Sequence, residues 1–119
     1  MHAMTDLDDH ATETPLVGGR SIVARRGEAV FRQSAPWSAT TLALLRHLEL
    51  EGFEYSPRVV GSGFDEGGRE VLTYIAGKSV HPFPWNEDAL PLLGEMLGKL
   101  HLASASFVPP IDAVWRPWF

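Results

Sequence analysis

The sequence predicts an α+β fold: an antiparallel sheet of two hairpins with a packed helix, followed by a linker and one long helix. Three observations carry this. Short strand-like runs flank turn residues at Gly27 and at Asp65, Glu66, Gly67 and Gly68. Apolar residues recur at helical spacing twice, at Thr41, Leu44, Leu45 and Leu48 and then from Leu90 to Phe107. With 45% hydrophobic and 21% charged residues, a chain of 119 residues suits a single core.

Taken in order, residues 1–19 read as an acidic, flexible tail, with Asp6, Asp8, Asp9 and Glu13 and no Lys or Arg before Arg20. "SIVARRGEAVFRQ" reads as a hairpin about Gly27, with Ala29 and Phe31 on one face of its second strand and Val30 and Arg32 on the other. Arg32 therefore need not point to bulk water. "APWSATTLALLRHLELEGF" reads as a helix with Ser38 or Thr40 as N-cap and Gly52 at its end, after which Phe53 folds back on it. Arg58 to Phe64 and Arg69 to Ile75 form the second hairpin.

Residues 78–87 contain Pro82 and Pro84, which deny the segment "KSVHPFPW" regular structure, so it reads as a linker. A long helix is expected over 88–108, capped by Asp88, with Pro91 in its first turn and a stripe of Leu90, Leu93, Leu97, Leu100, Ser104 and Phe107. Pro109 and Pro110 stop it, and residues 109–119 form an aromatic C-terminal segment, "PPIDAVWRPWF", whose rings call for something to pack on.

Four of the fifteen acidic residues lie in the tail, so the rest of the chain is close to neutral and lacks the basic face that nucleic acid requires. No apolar stretch is long enough for a membrane span, and residues 1–14 lack the basic start and apolar middle of a signal peptide. These features predict a cytoplasmic protein without nucleic-acid or membrane partners. The absence of cysteine removes disulfides, thiolate zinc sites and cysteine nucleophiles together. His2 and His10 offer no fixed ligand spacing, and no metal site is expected.

Gly61, Gly63, Gly67 and Gly68 have neither GxGxxG spacing nor a Walker lysine, which makes them turn and strand glycines. Arg32 is the stronger candidate, because a guanidinium on a strand facing a cleft can meet phosphate oxygens through two parallel hydrogen bonds. His101 lies one position beyond the leucine stripe and reads as a packed or capped side chain. Neither Asp112 nor Glu95 has a visible carboxylate partner, and no nucleophile elbow is present, so no catalytic residue is assigned.

The segment order, with "GEAVFRQ", "LLRHLELEGFEYSPRVVG", "GREVLTYIAG" and "LGEMLGKLHLASASFVPPIDAVWRP", resembles the aminoglycoside phosphotransferase family over residues 20 to 117. The resemblance implies a kinase-like N-lobe at 20–77 and, at 88–108, the first helix of a second lobe. It also implies ATP and Mg2+ as cofactors, with Arg32 in place of the family's strand lysine, Gly27 in the loop over the nucleotide, and Tyr74 and Ile75 near the adenine. Thr41 stands where the family's helix supplies a glutamate to hold the strand cation, which leaves Arg32 less firmly positioned.

The family's catalytic loop and metal-binding aspartate fall beyond this chain, and phosphoryl transfer depends on them. The expectation is a truncated small-molecule phosphotransferase, inactive alone. The alternative is a non-catalytic binding or dimerisation module derived from that lobe, pairing with itself or a partner chain through the exposed cleft face and the aromatic C-terminus.

Overall fold

The structure is a computed structural model that describes residues 12–16, 22–80 and 82–117. Its strands are β1 (Thr14–Pro15), β2 (Val23–Arg26), β3 (Ala29–Arg32), β4 (Val59–Phe64) and β5 (Glu70–Thr73). Helix α1 (Ser38–Leu50) lies between β3 and β4 in the chain, and α2 (Ala89–Ala105) follows the last strand. All five strands form one antiparallel sheet in the order β1-β2-β3-β5-β4, so the fold is α+β as the sequence predicts.

The two hairpins join where β3 pairs with β5, setting Phe31 opposite Val71 and Arg32 opposite Glu70. Because side chains alternate along a strand, this register sorts the residues by face. Ala29, Phe31 and Val71 bury one face together with Val60. Over the Phe31 ring stand the guanidinium groups of Arg26 and Arg69, 4.7 and 4.6 Å from its centre. Glu70 and Leu72, both buried, belong to the opposite face, where Ser38 of α1 bonds to Glu70.

Helix α1 is held tightly against the sheet. Gly63 of β4 has φ of +91°, and a Cβ there would lie 2.7 Å from Leu42 Cδ1, so only glycine permits both the backbone and the approach. Neither candidate N-cap is spent on capping. Trp37 occupies the N-cap position, the Ser38 hydroxyl donates to Glu70, and the Thr40 hydroxyl accepts the Val114 N–H at 2.9 Å. At the other end Gly52, with φ of +79°, turns the chain so that the Phe53 N–H bonds back to Leu48 O at 2.9 Å.

Two expectations need correction. Residues 12–16 fall within the stretch read as a flexible tail, yet Thr14–Pro15 pairs with Ala24 and Arg25, and Glu13 forms an ion pair with Arg69 at 2.8 Å. Backbone pairing and that ion pair fix the segment, whereas residues 1–11 and 17–19 of the expected tail lie outside the described residues. The packed stripe of α2 is also rotated from the predicted one. Met96, Leu100 and Ala103 meet Leu44, Leu45, Leu48 and Phe53, while Leu90 and Leu97 are exposed.

The long helix is shorter than the predicted 88–108, ending at Ala105. Asp88 takes the N-cap position without a side-chain capping bond, and its own N–H donates to Asn86 Oδ1 at 3.0 Å. The C-terminal segment folds back toward α1: Trp115 meets Phe107 edge-on at 6.4 Å, and the Arg116 guanidinium stands 5.6 Å from the Trp37 ring. Trp118 and Phe119 lie outside the described residues.

Candidate functional site

At the end of β3 the chain enters α1 through "QSAPW", and β5 begins directly beside it. This brings Arg32, Ser34, Trp37, Thr41, Glu70 and Arg116 around a cleft of about 430 Å³. Glu70 is its centre and is only 2% exposed. Arg32 Nε donates to Glu70 Oε1 at 2.7 Å, Arg32 Nη2 approaches the same oxygen at 2.5 Å, and the Ser38 hydroxyl donates to Oε2 at 2.5 Å.

A carboxylate taken out of water must be compensated by charge and hydrogen bonds, and here a guanidinium and a hydroxyl do both. Ser38 Oγ also accepts the Ala35 N–H at 2.8 Å, and Ser34 Oγ donates to Gly68 O. The start of α1 and the end of β3 are thereby tied to one buried carboxylate, and Ser34 ties the β3 exit to the turn before β5. Arg32 is consequently well positioned, contrary to the expectation from Thr41. Its carboxylate comes from the neighbouring strand and not from the helix.

The remaining sequence candidates lie elsewhere. Gly27, with φ of +61°, turns the first hairpin, and its carbonyl accepts from Arg25 Nε at 2.8 Å. Tyr74 donates its N–H to Glu28 O at 2.8 Å, and the Arg25 guanidinium lies 3.6 Å from its ring centre. Gly27 and Tyr74 thus share one end of the β3–β5 ladder, with the exposed Ile75 just beyond, while Arg32 occupies the other end about 10 Å away at the usual rise per residue. Neither Glu70 nor Arg116 stands out in the sequence, and Ser38 reads there only as a candidate N-cap. Glu70 was open to inference: pairing the inner strands of the two hairpins sets an Arg opposite a Glu.

A second charged cluster clasps the other sheet face. Arg69 Nε donates to Asp65 Oδ2 at 2.8 Å, and its Nη1 and Nη2 donate to the Glu13 carboxylate at 3.0 and 2.8 Å. The Arg69 hydrogen bond, assisted by its charge, holds the Glu13 carboxyl below the usual range. For Asp65, burial pushes upward, but bonds from the Arg69 backbone and side chain and from the Gly67 N–H outweigh it, and the net shift is downward. Hydrogen bonds to Glu13 and then Asp65 drive Arg69 further up.

Among the described residues no group of three His, Cys, Asp or Glu side chains could hold a metal ion. No described helix is long and apolar enough to cross a membrane.

No family model matches the chain, and no solved structure matches it. The kinase-like resemblance and the truncated phosphotransferase drawn from it are corrected by the comparison with curated proteins, and the alternative of a binding or dimerisation module derived from that lobe is unsupported. The ATP and Mg2+ expectation rested on the same resemblance and stays an expectation. What overturns the kinase-like resemblance is a similarity of another kind: over 102 residues the chain is 57% identical to the trifolitoxin immunity protein of Rhizobium leguminosarum bv. trifolii. The match takes in 86% of this chain and 39% of that protein, so the chain spans about two fifths of the relative's length.

Proposed function

We propose that this chain serves in immunity to a toxin of the trifolitoxin kind. The observation that carries the reading is the 57% identity to the immunity protein, extended over 86% of the chain. Such identity supports a shared fold over the matched residues.

Survival of a trifolitoxin-sensitive strain tests the proposal. The strain carries the 119-residue chain, the full-length relative or an empty vector, and is challenged with graded trifolitoxin. The expected result is a rise in the inhibitory toxin concentration of at least about fourfold over the empty vector. Full protection by the relative with none from this chain, expressed at matched and soluble levels, would overturn it.

A further inference from the structure

Helix α2 is too apolar for the exposure it has. An amphipathic helix normally turns a charged face to water, and a helix apolar all round is normally covered. The charged residues of α2 are Glu95 and Lys99, which pair with each other at 3.4 Å on one narrow strip. Along the rest of the side not packed on α1 run Leu90, Gly94, Leu97, Gly98, His101 and Leu102, all exposed. Of fifteen exposed large hydrophobic residues among those described, eleven come after β5, which localises the uncovered surface to α2 and its flanking segments.

The two glycines point the same way. Glycine inside a helix is weaker than alanine, and a Cβ at Gly94 or Gly98 would meet nothing within 4 Å. Nothing in the described chain requires them. Spaced four apart, they lie one turn from each other and make a smooth strip on which another backbone could pack closely.

The comparison supplies an occupant, since three fifths of the immunity protein lies outside the matched region. We infer that the Leu90–Leu97–Leu102 side of α2 is an interface for polypeptide of the kind found in that unmatched portion, with Gly94 and Gly98 at the closest approach. This inference rests on exposure and on the relative's length, independently of the immunity reading.

Because the sequence has no cysteine, a single introduced thiol reports on this face directly. Leu97→Cys and Leu102→Cys are compared with the control Lys99→Cys in two settings: the 119-residue chain, and a chimaera in which this chain replaces the matched 102 residues of the relative. Alkylation rates are read by peptide mass, which separates the introduced thiols from any in the relative's portion. The two leucine positions are expected to react at least about tenfold more slowly in the chimaera, and Lys99→Cys at the same rate in both. Equal rates in the two settings at Leu97→Cys and Leu102→Cys would overturn the inference. So would slowing at all three positions alike, or protection in the 119-residue chain that disappears on dilution, which would make a second copy the occupant. No toxin enters this experiment, so its failure is separate from failure of the survival assay.

Discussion

The sheet with α1 and the later helix α2 both carry many apolar residues, yet they use them differently. In the sheet, alternation and register put Ala29, Phe31 and Val71 on one buried face and Leu72 with Glu70 on the other. In α2 only Ala103 is buried, while Leu90, Leu92, Leu97 and Leu102 remain exposed. Apolar content tells that a surface is made to be covered. What covers it depends on partners that a periodicity does not name.

The strongest way to break this comparison is to truncate one side chain on each side of it. Phe31→Ala removes a ring that is 3% exposed and that both Arg26 and Arg69 cover. A loss of about 3–5 kcal/mol is expected from denaturant unfolding, enough to unfold a marginal domain. Leu102→Ala, at a position 78% exposed, should change stability by no more than about 0.5 kcal/mol. Similar losses at the two sites would mean that α2 is as deeply involved in the core as the sheet.

Next in size is the buried lock. Arg32→Met leaves the Glu70 carboxylate buried with only the Ser38 hydroxyl, and about 3 kcal/mol should be lost. Glu70→Met in the same protein should restore part of it, because two apolar side chains leave no uncompensated charge. A double variant that melts at or below the weaker single one would show that the pair is not what ties the strand to the helix.

A sharper contrast comes from glycine. Gly63→Ala meets both a positive φ and Leu42, and should cost about 1–3 kcal/mol. Gly98→Ala in the isolated chain meets open space and should stabilise α2 by up to about 1 kcal/mol. Thermal melts of the two variants moving in the same direction would remove the distinction between a glycine used within the fold and one that is not.

Much of this was legible beforehand. Fold class, both hairpins, the Gly52 turn and the return of Phe53 follow from local rules about alternation, glycine and spacing, which act over a few residues. The misreadings share a physical cause: each depends on contacts distant in sequence. The predicted α2 stripe joins Leu90 and Leu97, but the helix turns Met96 and Ala103 toward α1 because Leu48 and Phe53 are there to meet them. Ser38 and Thr40 look like caps, yet Glu70 and Val114 claim their hydroxyls. Arg32 was found as a cation and its partner sought on the helix at Thr41, although β3–β5 pairing supplies Glu70. The kinase-like resemblance failed for a related reason, since segment order and short apolar phrases report packing and carry no chemistry of their own.

The smallest expected effect concerns the far sheet face, where Arg69 bonds to Glu13 and Asp65 and so ties β1's approach to the second hairpin's turn. Both carboxyls have folded-state pKa values below their ordinary ones. The unfolded chain therefore binds protons first as pH falls, and stability contributed by the cluster is complete above the ordinary carboxylate range, roughly pH 4. It declines below that range, as the folded groups take up protons in turn. These groups are near the surface and screened by salt, which limits the effect to about 1 kcal/mol. Asp65→Asn should flatten the acid limb of a melting-temperature profile between pH 6 and roughly pH 3 while leaving the Arg32–Glu70 lock untouched. An acid limb equally steep in that variant would assign the acid sensitivity to other carboxylates, and the clasp over Phe31 would then be a matter of packing rather than charge.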